Sequence, residues 1–187
     1  MEVMLERKYT NCLNFEHTVF FTQEVIEHLL SKHGFEIVEK RLFREDHSIF
    51  YATKRTNDVQ VKPLQPNYEK NKKLFEEFIK YHENIIKRIN EEIESSSSPV
   101  FLFGAHVFSQ FLLSFGLDHQ KIECLLDNDV KKQNKRLYGT ELVVKSPNIL
   151  KGFDAATVIL KAGVYNDEIR NDILSKVNPN VHFIEDL

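Results

Sequence analysis

Three short stretches of this 187-residue chain bring together residue types that do chemistry where a fold would display them. Phe103-Gly104-Ala105-His106 follows the apolar run Val100 to Phe103 and opens a helical pattern. A strand turning into a helix presents backbone N–H groups and a helix N-terminus, the arrangement that receives a nucleotide phosphate. Asp127 follows at close to the roughly 20-residue spacing at which an acidic residue meets a ribose hydroxyl. The three-glycine dinucleotide fingerprint is not met, because Leu102 and Val107 stand where its first and third glycines belong. A second reading stays open, in which Gly104 only permits a tight turn and Asp127-Asn128-Asp129 is a solvated one.

Ala162-Gly163-Val164-Tyr165-Asn166 marks another strand-to-helix turn at the same edge of the expected sheet. Tyr165 offers a ring to stack on a base or sugar, and Asn166 a carboxamide for a hydroxyl. Asn is also a favoured helix N-cap, and that is the role expected of Asn166. The third stretch is Glu16-His17. Adjacent side chains on an extended backbone point to opposite faces, so Glu16 does not orient His17. From an irregular loop both can line one cleft, His17 as a general base and Glu16 gripping a substrate hydroxyl. The eight histidines show no metal-ligand spacing, and no metal is expected.

Elements that would position these residues follow from periodicity and punctuation. Residues 1–55 hold an amphipathic helix at Thr22 to His33, a stop at Gly34 and strand-like runs at Phe35 to Phe43 and Ser48 to Thr53. Residues 56–66 form a polar link in which Pro63 and Pro66 disfavour helix. Residues 67–98 carry a long helix: Leu74, Phe75, Phe78, His82, Ile85, Ile86, Ile89 and Ile93 make one apolar stripe, and the Lys/Glu faces read as solvated. Residues 99–187 alternate strand and helix. Strands are expected at 100–103, 122–126, 141–144, 157–161 and 181–184, and helices at 105–115, 146–150 and 166–177. Such alternation predicts right-handed crossovers and a three-layer, Rossmann-like α/β domain with a parallel sheet.

Composition narrows the classes. A net charge of -3 lacks the basic excess of a nucleic-acid binder, and no apolar run is long enough to span a membrane. Cys12 and Cys124 form neither a disulfide framework nor a metal cluster, which fits a reducing cytoplasm.

The order of these motifs resembles the S-adenosylmethionine-dependent sugar C-methyltransferases, which act on nucleotide-linked deoxy-keto sugars. Phe15-Glu16-His17-Thr18-Val19-Phe20-Phe21-Thr22 is similar to the segment before that family's last catalytic-domain helix, and Gly34-Phe35-Glu36-Ile37-Val38 to the strand after it. Residues 67–187 look like its C-terminal domain, through Phe103-Gly104-Ala105, Asp127-Asn128, Tyr138-Gly139-Thr140, Ser146-Pro147 and Tyr165-Asn166-Asp167-Glu168-Ile169. The resemblance implies that His17 takes the proton beside the sugar's keto group and that Glu16 contacts the sugar. It implies a nucleotide-sugar site near Gly104, Ala105, His106, Asp127, Asn128, Tyr165 and Asn166. S-adenosylmethionine is the implied cofactor, yet its glycine-rich loop does not precede residue 14, the family's cysteine-rich zinc module is missing, and Leu102 replaces a usual glycine. A cofactor half-domain needs on the order of 100 residues. The expectation is therefore the C-terminal part of such an enzyme, inactive alone and completed by a separate cofactor-binding chain or by self-association. The alternative is a non-catalytic module for sugar-nucleotide binding or protein interaction.

Overall fold

The apolar run Val100 to Phe103 forms a strand with every side chain buried, and the second of two structural units is built around it. The computed structural model describes residues 1–10, 13, 17–43, 48–64 and 67–185. Its units are Met1–Tyr81 and His82–Leu187. In the first, α1 is Glu2–Glu6, α2 is Gln23–Lys32, and the strands β1 (Phe35–Phe43) and β2 (Ser48–Arg55) pair antiparallel. Helix α3, Tyr68–Ser95, is shared, and its residues from His82 onward count with the second unit.

Sequence dictates these ends plainly. Thr22 caps α2, its hydroxyl accepting from the Val25 amide at 3.3 Å. Gly34 turns the chain into β1 at φ +79°, a conformation that glycine adopts without strain. The register shifts between Ile37 and Glu39, leaving Val38 as an extra residue in β1. Residues 56–64 are not a loose tether. The Lys62 amide donates to Ser31 Oγ at 2.9 Å, its carbonyl accepts from His28 Nδ1 at 2.7 Å, and its ammonium meets Glu27 at 2.8 Å. Glu27 also accepts from Gln23 at 2.9 Å and from the Tyr51 hydroxyl at 3.4 Å. Burial, together with the Glu27 charge and hydrogen bond, pushes the Tyr51 phenol up to about 12.

The second unit is a five-stranded parallel sheet: β3 (Val100–Phe103), β4 (Ile122–Leu126), β5 (Val144–Lys145), β6 (Ala156–Leu160) and β7 (Val181–Ile184). Their order is β5-β4-β3-β6-β7. Alternate side chains of one strand serve opposite faces. Val100 and Leu102 join Ile85, Ile86, Ile89 and Ile93 of α3 and Leu112 of α4 (Val107–Ser114). Phe101 and Phe103 join Leu150 of the 3-10 turn Pro147–Gly152 and Ile173 of α5 (Asn166–Lys176). Helices therefore cover both faces, giving the three-layer Rossmann-like α/β fold.

Three local expectations change. Phe75 lies 53% exposed, outside the buried stripe of α3. The strand expected at 141–144 shrinks to Val144–Lys145, because Val143 bridges Arg136 and Leu142 binds back to Leu137. The segment 146–150 winds as a 3-10 turn behind the Ser146 cap. Among the described residues, no helix is long and apolar enough to cross a membrane.

Ile89 is fully enclosed, so Ile89→Ala is expected to lower unfolding stability by about 2–5 kcal/mol in urea titrations. A near-neutral result would show that α3 is not part of this core. In ultraviolet titration, the highest-pH tyrosine transition, near 12, should disappear in Tyr51→Phe and shift down in Glu27→Gln.

Candidate functional site

Strand order reverses beside β3. The chain runs outward through β4 and β5, then returns to β6 on the other side. Ligands of open α/β sheets collect at the carboxyl ends of the strands flanking such a reversal. Phe103 lies opposite Leu160, so the turns that follow β3 and β6 leave the sheet side by side. Gly104-Ala105-His106 and Ala162 to Asn166 are therefore neighbours at this edge, and Asp127 leaves β4 on the other flank of β3.

The turn at Gly104 is tightly tied. Its N–H donates to the Leu126 carbonyl at 2.6 Å, and Ser109 donates its hydroxyl to the Gly104 carbonyl at 2.5 Å. Gly104 has φ +97°, and a β-carbon there would come within 2.1 Å of His106 Nε2. The imidazole thus fills the space into which a phosphate would have to approach. His106 also caps α4, Nδ1 accepting from the Phe108 amide at 3.3 Å, which leaves the proton of the neutral ring on Nε2. Burial, then the nearby Lys132 charge, hold its pKa below the usual histidine value, against an opposing pull from Asp127.

Asp127 clamps the same turn. Its Oδ2 accepts from the Ala105 amide at 2.8 Å and from Lys132 Nζ at 3.0 Å, and Oδ1 accepts from the Asp129 amide at 2.8 Å. Burial alone would raise this carboxyl. The hydrogen bonds from Asp129, Lys132 and Ala105 and the Lys132 charge outweigh it and keep the pKa below the usual carboxylate range. With these bonds made and 7% of its surface exposed, Asp127 is chiefly a structural acceptor.

On the β6 side, Tyr165 is 61% and Val164 91% exposed. Asn166 is not the N-cap expected from the sequence. It sits inside the first turn of α5, and its Oδ1 accepts from the Ala162 amide at 2.7 Å, bracing the loop that carries Tyr165. A short 3-10 turn at Gly163–Tyr165 already feeds α5, so no separate cap is required. Lys161 follows the last residue of β6, Leu160, which pairs with Phe103 just before Gly104, and burial lowers the pKa of this lysine.

The structure thus gathers Gly104, Ala105, His106 and Asp127 in one hydrogen-bonded turn and sets Tyr165 and Asn166 on the adjoining loop. Asn128 is exposed beside them. His17 belongs to the first unit, exposed, with its ring 6.4 Å from that of Phe20, and Glu16 lies outside the described residues. Sequence reading missed Lys132 and Lys161. The signals were present: a basic run Lys131 to Arg136 directly after Asp127, and a lysine ending an otherwise apolar strand. A recess of the second unit, about 730 Å³, opens at the other end of the sheet between α3 and the Phe115–Asp118 turn. It is a shallow charged groove rimmed by Glu83, Lys87, Glu91 and Glu94, without the convergent groups found at the carboxyl edge. Among the described residues no group of three His, Cys, Asp or Glu is placed to hold a metal ion. The chain matches no protein-family model, and no curated protein matches it.

The clamp has a pH signature. A carboxyl with a lowered folded pKa stabilises above its unfolded value, about 3.9, and that contribution fades as pH falls through the lower folded value. Asp127→Asn should cost about 1–3 kcal/mol near neutrality and flatten this acid limb in pH-dependent urea melts. An unchanged acid limb would remove Asp127 from the role of clamp.

Proposed function

We propose that the second unit binds a nucleotide-linked sugar at the carboxyl edge of its sheet, in the service of S-adenosylmethionine-dependent methyl transfer to a carbon of that sugar. The binding half rests on one observation: the strand-order reversal places the exposed ring of Tyr165 on the loop beside the Gly104 turn. In this reading Tyr165 stacks on the base or sugar, and recognition is carried by its loop rather than by the filled Gly104 turn. Stacking of a base on an aromatic side chain contributes about 1–3 kcal/mol. The catalytic half rests on the motif order from Phe15 to Ile169. There His17 removes the proton beside the keto group, with Glu16 on a sugar hydroxyl. Lone cysteines and a phosphorylated small-molecule ligand suit a cytoplasmic setting.

The residues at the Gly104 turn do not fit S-adenosylmethionine. That cofactor needs an open glycine-rich turn, whereas here the imidazole of His106 covers Gly104 and the Ala105 amide is spent on Asp127. In this reading the cofactor is held elsewhere, by another domain or chain. The same filled turn favours a second reading, a non-catalytic binding or interaction module.

Thermal shift and calorimetry on the purified chain separate these readings. Thymidine- or cytidine-linked sugars should raise Tm in proportion to occupancy, about 2.7 kcal/mol of stabilisation at a hundred times Kd. Tyr165→Ala should weaken that binding about tenfold, while S-adenosylhomocysteine and NAD leave Tm unchanged. Stabilisation by NAD alone would displace the nucleotide-sugar reading, and silence toward every ligand would leave the interaction module. Methyl transfer by the 187-residue chain alone would contradict the requirement for a second cofactor-holding part.

A further inference from the structure

The two strands of the first unit guard their outer edges very differently. β1 carries Glu36, Glu39, Lys40 and Arg41 and is broken by the extra residue Val38. Charges and a bulge are the devices by which an edge strand refuses another strand. β2 has neither. From Ser48 to Thr53 it reads Ser-Ile-Phe-Tyr-Ala-Thr, regular and uncharged, with its first charge at Lys54. No described strand pairs with its outer side.

The faces of the ribbon differ as well. Lys40 and Tyr51 sit opposite one another and both reach Glu27, so their face is the one turned toward α2. Alternation puts Phe43 and Phe50 on the other face, where each is 56% exposed. Two strands alone are marginal in water, and here α2 supports the ribbon on one face.

We propose that β2 is a homodimerisation edge, pairing antiparallel with β2 of a second copy. Three features favour a copy of this chain as the occupant. Related by a twofold axis normal to the sheet, the strands can align with Tyr51 opposite its own copy and Phe50 opposite Ala52 of the second copy. Aromatic and small apolar residues then face one another, and Lys54 of each chain meets Ser48 rather than a like charge. The four-stranded sheet that results runs β1-β2-β2-β1, with the charged, bulged strands outermost, so assembly closes at two copies. Pairing through β1 would instead leave two bare β2 edges open to further addition. The seven-residue match is short, so the dimer is weak and concentration-dependent.

Sedimentation velocity across roughly micromolar to millimolar full-length chain tests this. The weight-average mass should rise from the 22.0 kDa of one chain toward twice that value. Phe50→Lys, which places a charge next to the axis at an exposed position, should hold the chain at one copy. Val38→Lys, on the guarded strand, should leave association intact. Circular dichroism confirms that both variants fold, and hydrogen exchange should show β2 amides gaining protection with concentration in the wild type but not in Phe50→Lys. A chain that stays single throughout, or association lost in Val38→Lys and kept in Phe50→Lys, would overturn the proposal. So would assembly that continues beyond two copies or that requires a different protein.

Discussion

The four residues of β3 are each at most 5% exposed, so this strand needs cover on both faces at once. Val100 and Leu102 obtain it from α3 and α4, and Phe101 and Phe103 from the α5 side. A strand so enclosed also needs neighbours on both edges to satisfy its N–H and C=O groups, and β4 and β6 supply them. Having laid β4 and β5 on one side, the chain has to cross back to reach the other. The reversal, and with it the place where loops splay apart at the carboxyl edge, follows from the burial of β3.

That geometry creates a difficulty at its own exit. Gly104 is buried and the turn there carries amides that need acceptors. Leu126 serves Gly104, and the Asp127 carboxylate serves Ala105. A phosphate oxygen would use the same Ala105 amide and the same Lys132 ammonium, so the protein satisfies internally what a nucleotide-binding turn keeps open. His106 completes the closure by capping α4 and lying over Gly104. Stability at the first turn therefore shifts recognition to the second, where Tyr165 projects from a loop braced by Asn166.

What could be read from the sequence divides along the same line. Val100–Phe103 falls where its apolar run places it, because continuous burial leaves a continuous signal, and Ile122–Leu126 and Val181–Ile184 also form where expected although Glu123 and His182 are exposed. The stripe of α3 is likewise visible from Phe78 to Ile93, where a helix face meets a core. The misses are residues whose partners, near or remote in sequence, leave no mark in the apolar pattern. Leu142 and Val143 look like strand by type, but Leu137 and Arg136 claim them first. Residues 56–64 look unattached because nothing local reveals that Lys62 will meet Ser31, His28 and Glu27. Asp127 is the sharpest case. Its spacing from Gly104 suits a ribose contact and an internal clamp equally, and only the geometry distinguishes them.

The two units also hold themselves together by different means. The second is a layered hydrophobic core, whereas among the described residues of the first only Leu5 and Phe78 are buried hydrophobics. Its organisation rests instead on Glu27, which ties together α2, both strands of the ribbon and the segment through Lys62. Several bonds to one carboxylate fix geometry well, but such partly exposed pairs contribute little net free energy each. Apolar burial is the larger stabilising term, and here much of the apolar surface, including Val38, Leu42, Phe43 and Phe50, still faces water. Among its described residues, polar contacts do more than apolar burial to specify the shape of this unit.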